Sequence, residues 1–310
     1  MGRSLAVPRQ SLPGVAQWVF NRPGIRLRWG EAGCGVLLAT IAHHALFGVN
    51  VAATAPLVAL SEWLPTGRAN PAFDPSRAQL DRVWRRMRSE PAVLGRPVVV
   101  LSGYKSWPVM ASALRDDLCS LTSRDRASFL SVAYTLRGRI DDAVAITLDR
   151  VDRAFPSDDD RWTREVDVVA ISMGGLVARR SAADRGDGGR RLRVARLFTL
   201  ASPHRGARLA EWIRPDQASR EMRAGSPFLE SLDRSWARDP LEVYPYAVLN
   251  DTWVGATRTA PPGEGMHWTR GSVVCSHFTV SANRRIVADI ALRLRGETPL
   301  SCGASHPPTD

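Results

Sequence analysis

Residues 166–176, Val-Asp-Val-Val-Ala-Ile-Ser-Met-Gly-Gly-Leu, constrain this chain more than any other stretch. Val166, Val168, Val169 and Ile171 form a β-branched apolar run, the composition of a buried strand. The run stops at Ser172, and Leu176, Val177, Arg179 and Arg180 continue with helical spacing. So sharp a passage from strand to helix presses two backbones together, and Ala170 and Gly174 are small enough to permit it. The turn also has a chemical use. A serine hydroxyl is a weak nucleophile unless a base lies on one side of it and backbone N–H donors on the other. The usual pattern is Gly-x-Ser-x-Gly; here Ala170 stands at the first glycine position. The plainer alternative is a strand-end serine bonded to backbone.

From Pro97 onward strand and helix patterns alternate, the signature of a parallel sheet with crossover helices. Strands are expected at 97–102, 129–135, 166–171, 194–201 and 246–250. Helices are expected at about 107–121, 139–155 and 283–294. Residues 207–245 read as helical and irregular, the place for a lid over a pocket. Before the sheet, Asp74-Pro75-Ser76 opens a short helix with Leu80, Val83, Trp84 and Met87 on one face. That face either packs on the domain or lies on an anionic membrane. The division expected is a basic and apolar leader (1–64), a linker with an amphipathic helix (65–95), a catalytic α/β domain (96–296) and a disordered tail (297–310).

The leader holds the least polar stretch. Residues 32–61 contain no Asp, Glu, Lys or Arg, long enough for the roughly 20 residues that cross a bilayer. Arg3, Arg9, Arg22, Arg26 and Arg28 precede it, whereas His43, His44, Asn50 and Pro56 interrupt it. A membrane anchor and a pair of buried apolar helices both fit, and a membrane-associated or exported protein is slightly favoured over a cytoplasmic one. The net charge of +11 comes almost wholly from arginine, with Lys105 the only lysine. No nucleic-acid recognition motif or aromatic platform accompanies that charge, so nucleic acid is not an expected partner. Cys34, Cys119, Cys275 and Cys302 lack the spacing of a zinc site. Buried thiols, or a Cys275–Cys302 bridge in an exported protein, account for them.

The order of parts resembles the α/β-hydrolase fold, and more narrowly the lipase and GPI-inositol-deacylase-like esterases, over about residues 95–295. Four pieces carry the resemblance: Val98-Val99-Val100-Leu101-Ser102-Gly103-Tyr104, the Ser172 turn, Thr199-Leu200-Ala201-Ser202-Pro203-His204-Arg205-Gly206, and Asn250-Asp251 with His277. The family commonly has His-Gly where this chain has Ser102-Gly103. The resemblance implies a triad in the chain order serine, acid, histidine, here Ser172 as nucleophile, Asp251 as orienting acid and His277 as base. It implies an oxyanion hole from the backbone N–H groups of Met173 and Tyr104. Ser102 is a competing hydroxyl, Asp233 and Asp239 are poorer acids, His204 is expected to buttress the site or bind backbone, and His267 is placed in a glycine-rich loop.

The chemistry so implied is hydrolysis of a carboxylic ester without metal or organic cofactor. The expected substrate is a small-molecule or lipid-like ester, with Phe228, Leu229, Leu232 and Trp236 covering its acyl chain and membrane contact made through the leader. An acyltransferase on the same triad and a catalytically silent binding protein are the alternatives.

Overall fold

The computed structural model describes residues 65–308, except 107, 136, 187 and 273–275. The leader and its apolar stretch at 32–61 lie outside the described residues, as do Cys34 and Cys275. Among the described residues no helix is long and apolar enough to cross a membrane.

A two-residue strand β1 (Pro65–Thr66) leads to helix α1 (Arg77–Ser89). Then follow β2 (Val98–Leu101), α2 (Pro108–Leu121), β3 (Phe129–Val132), α3 (Ile140–Ala154) and β4 (Val166–Ile171). Next come α4 (Met173–Ala182), β5 (Val194–Leu200), the short helices α5 (Leu209–Trp212) and α6 (Gln217–Glu221), and α7 (Pro227–Arg238). The chain closes with β6 (Val243–Val248), β7 (His267–Thr269), β8 (Gly271–Ser272), α8 (Ser276–Thr279) and α9 (Arg284–Leu294). Six strands form one sheet in the order β3-β2-β4-β5-β6-β7, and every pairing is parallel. A separate antiparallel pair joins β1 to β8. This is the doubly wound α/β-hydrolase core.

Side chains along β2 and β4 alternate between two cores, as the period of a strand requires. Val98, Val100, Val169 and Ile171 face α1, α2 and α9. Val99, Leu101, Val168 and Ala170 face α3, α4 and the helices of the 207–245 segment. Helices on both faces explain why these strands read as unbroken apolar runs. They also leave the C-terminal ends of β4, β6 and β7 as the place where loops can gather side chains.

Helix α1 begins at Ser76, whose Oγ accepts from the Gln79 N–H at 3.3 Å. Its Leu80, Trp84 and Met87 are buried in the core, and the Trp84 Nε1 donates to the Arg284 carbonyl at 3.2 Å. The apolar face is therefore spent on the domain, not on a membrane.

Several expectations are corrected. The late strand starts at Val243 rather than 246, with Pro245 inside it although proline has no ladder donor. His267 opens β7, paired opposite Tyr246, instead of lying in a loop. A three-residue strand is too short to show a period. Residues 297–308 are not a loose tail. Ser301 donates its N–H to Asp289 at 2.7 Å, Cys302 donates to the Ala72 carbonyl at 2.8 Å, and Ser305 bridges to Met266. The buried Asp289 carboxylate needs donors, and Tyr246, Arg293 and Ser301 supply them. Finally, Leu229 and Leu232 of α7 pack into the core, and Trp236 is buried with the Arg179 guanidinium over its ring. That face packs on the domain, with Phe228 half-buried beside it.

Candidate active site

Ser172 sits between β4 and α4 with φ 51° and ψ −123°, a conformation that L residues adopt only under constraint. The constraint is main-chain packing. The Ser172 N–H donates to the Leu200 carbonyl at 2.8 Å, and the Gly175 N–H donates back to the Ser172 carbonyl at 3.1 Å. At Gly174 a Cβ would stand 2.7 Å from the Ser102 oxygen and 2.9 Å from the Leu101 oxygen. At Gly175 it would lie 2.4 Å from the Ser202 Oγ. Both positions require glycine because β2 and the Ser202-Pro203-His204 segment close against the first turn of α4.

His277 lies on α8, just beyond β8. Its Nε2 is 3.0 Å from the Ser172 Oγ, and its Nδ1 is 2.8 Å from the Asp251 Oδ2. The structure thus brings Ser172, His277 and Asp251 into one hydrogen-bonded line, across sequence separations of 105 and 26 residues. With a carboxylate at Nδ1, that nitrogen carries the proton and Nε2 is free to accept from the serine. All three side chains are buried, Asp251 to 1% exposure. Burying a carboxylate so deeply requires several donors. Asp251 receives the His277 Nδ1–H on one oxygen and the backbone N–H groups of Trp253 and Val254, each at 2.9 Å, on the other. The Trp253 ring stacks on the imidazole at 5.8 Å, nearly parallel, and Phe278 meets both rings edge-on. The ring can neither tilt nor slide easily.

The two expected oxyanion donors flank Ser172. Met173 opens α4, whose first-turn N–H groups have no acceptor within the helix. Tyr104 follows Gly103, where a Cβ would stand only 3.2 Å from the Ser172 Cβ. The competing Ser102 is fully buried at the end of β2. Its N–H donates to the Val132 carbonyl and its Oγ accepts from the Tyr134 N–H at 3.3 Å, so its polar groups serve the sheet end, while His277 bonds Ser172.

His204 is likewise apart from the line. It is fully buried, with Nε2 3.2 Å from the Thr199 Oγ1 and Nδ1 3.4 Å from Arg179. Burial, then the nearby Arg179 and Arg205 charges, hold it well below its ordinary pKa, so it stays neutral. Arg179 pairs with Asp233 at 2.9 Å, which engages one of the weaker acid candidates; Asp239 lies 3.5 Å from Arg191.

One group of polar contacts had no forerunner in the sequence reading. Tyr104 Oη and Lys105 Nζ each approach Asp216 Oδ2 at 2.7 Å, joining the loop beside Ser172 to the 207–245 segment. Two signals were available: the chain's single lysine, and Asp216-x-x-Ser219, which closes as a capping box at the start of α6.

No family model and no curated protein matches the sequence. Similar solved structures include phospholipase PlaB from Legionella pneumophila in complex with thio-NAD, at 15% identity, TM-score 0.40, covering 49% of this chain and 37% of that one. Aspergillus fumigatus lipase B matches at 12% identity and TM-score 0.45, over 79% of this chain and 67% of that one. A Pyrococcus furiosus esterase matches at 16% identity and TM-score 0.37, over 64% of this chain and 82% of that one. The chain thus spans little more than a third of the phospholipase. At these values none of the three speaks to what this chain acts on.

Proposed function

We propose that this chain is a serine hydrolase that cleaves carboxylic esters through an acyl-enzyme. The observation that carries the reading is the Ser172–His277–Asp251 line, with both contacts at hydrogen-bond length. As Ser172 Oγ attacks the ester carbonyl, His277 Nε2 takes its proton, and Asp251 holds the imidazole in the working tautomer and stabilises the imidazolium. Charge developing on the carbonyl oxygen is met by the Met173 and Tyr104 N–H groups. When the tetrahedral species collapses, His277 returns the proton to the leaving alcohol. Water, deprotonated by the same nitrogen, then attacks the acyl group, and the reverse sequence frees Ser172.

Apolar acyl groups fit the site best, because Trp253 and Phe278 stand around the imidazole while the α7 face is occupied. The test is labelling of the full-length chain with a fluorophosphonate, alongside hydrolysis of p-nitrophenyl esters of increasing chain length. Covalent reaction that disappears in Ser172→Ala, with ester turnover lost in parallel, is the expected result. An unlabelled wild-type protein would sink the hydrolase reading and leave a binding protein on the same fold.

A further inference from the structure

We propose that residues 212–215 are a docking tip for an anionic lipid surface, set beside the active site so that an ester held in that surface reaches Ser172. The docking stands apart from the serine-hydrolase reading; the use made of it rests on that reading. Trp212 is 84% exposed and Ile213 43%, and Arg214 and Pro215 are exposed after them. Among the described residues the other exposed large apolar side chains, Val93 and Val109, stand singly. Single apolar side chains on a surface are ordinary, but a tryptophan beside an isoleucine, rimmed by charge, marks a contact.

The tip is the crown of an arch with both feet at the site. At one foot, the Leu209 N–H donates to the Trp253 carbonyl at 3.0 Å and the Arg208 N–H to the Val254 carbonyl at 3.4 Å. Trp253 is the residue whose ring stacks on His277. At the other foot, Asp216 Oδ2 takes the Tyr104 hydroxyl and the Lys105 ammonium, both at 2.7 Å, and Tyr104 follows the Gly103 that lies against Ser172. Both feet are rooted. Ala210 is buried in the core, Glu211 pairs with Arg258, and Asp216 caps α6 through the Ser219 N–H at 3.0 Å. Anchored chain on each side thus holds Trp212 and Ile213 out in water.

Charge around the crown selects the occupant. A Cβ at Gly138 would stand 3.4 Å from the Asp216 Cβ, and the Gly138 carbonyl accepts from the Ala218 N–H at 2.7 Å. The exposed Arg137 and Arg139, on either side of Gly138, therefore stand beside the second foot. Among the described residues no acid pairs with Arg137, Arg139 or Arg214. The neighbouring acids are engaged: Glu211 by Arg258, Asp216 by Lys105, and Glu221 by the Ile140 N–H at 3.1 Å. A cationic rim around an apolar tip fits negatively charged headgroups, with the indole at the boundary between headgroup and acyl chain. A protein partner fits less well, because a stable protein interface buries about 800 Å² on each side, more than a four-residue crown offers.

Brominated lipid tests the contact directly, since bromines on an acyl chain quench only an indole lying among them. Full-length chain, wild type and Trp212→Phe, is mixed with vesicles of brominated phosphatidylcholine and phosphatidylglycerol. The emission that the variant lacks belongs to Trp212; in the wild type it should shift to the blue and be quenched. Arg139→Ser combined with Arg214→Ser should need about three- to tenfold more phosphatidylglycerol for the same quenching. Serine at 139 keeps a good cap for α3, where Arg139 makes no side-chain cap bond. In Trp212→Ser combined with Ile213→Ser, turnover of an ester carried in the vesicles, relative to turnover of soluble p-nitrophenyl acetate, should fall about tenfold or more. That ratio cancels any loss of folded protein. Trp212 emission untouched by excess vesicles would overturn the docking tip, whether or not the leader carries the chain to them. Dimers that Trp212→Ser splits, with that emission untouched, would give the tip to a second copy instead. A ratio within about twofold of wild type would overturn the presentation of ester to Ser172. Quenching in a wild type that fluorophosphonate does not label would remove the hydrolase reading and keep the docking.

Discussion

The two sides of the Ser172 site are built differently. On the nucleophile side the strained conformation is enforced by close core packing: the Leu200 carbonyl on the Ser172 N–H, the Ser102 and Leu101 oxygens against Gly174, and the Ser202 side chain against Gly175. On the oxyanion side the strained residue, Lys105, is restrained by side chains from a distant segment. The first arrangement is part of the core, so it cannot change without the fold changing. The second is an ionic contact at the rim, a third exposed at Lys105, and can loosen while the core stays intact. The site thus joins a core-held nucleophile turn to a loop held by an ionic contact at the rim.

The largest expected effect lies on the fixed side. His277→Ala or Asp251→Asn should cut turnover on the order of 10⁴-fold, measured as kcat/KM on a soluble ester. A retained rate within tenfold would mean that the hydrogen-bonded line is not the reacting one. Next, Gly174→Ala should lower stability by about 1–3 kcal/mol, read from denaturant unfolding, and lower activity with it, because the added methyl must push apart β2 and α4. By contrast, Lys105→Met should change unfolding free energy by less than about 1 kcal/mol, the ordinary scale for a partly exposed ion pair. If Lys105→Met destabilised the protein as much as Gly174→Ala, the contrast between core-held and rim-held halves would be wrong.

Away from the site, pH separates scaffold from chemistry. Burial, then the Arg293 charge, lowers the His267 pKa to about 4, against an ordinary value of about 6.5 in the unfolded chain. The unfolded chain therefore binds the proton first. The contribution of neutral His267 is complete above about pH 6.5 and is lost as pH falls towards 4, and buried His204 acts in the same direction. Unfolding free energy should decline through that window, with a shallower slope in His267→Gln. An unchanged slope would place the acid sensitivity elsewhere.

Much of this architecture was legible because it depends on local pattern. β4 and its turn stood out since a parallel strand buried on both faces must be apolar throughout and its exit must be small. Asp251 and His277 are singled out by chain order together with their places, one after an apolar strand and the other before the last helix. What escaped detection depends on distance. β7 is three residues long and pairs across 21 positions of register with β6. Asp216 meets Tyr104 across 112 residues, and a capping Asp looks the same whether or not its second oxygen is engaged. The α7 stripe misled for a related reason: an apolar helix face announces burial but does not name what buries it.

The strap formed by residues 297–308 has a practical consequence. Half of the donors reaching the Asp289 carboxylate come from Ser301, which supplies its N–H and its hydroxyl beside Tyr246 and Arg293. Controlled trimming by a carboxypeptidase would first release Ser305 from Met266 and Cys302 from Ala72, and the step past Ser301 would then strip the Asp289 carboxylate of half its donors. The strap is thus a dial on the durability of the domain, turned one contact at a time.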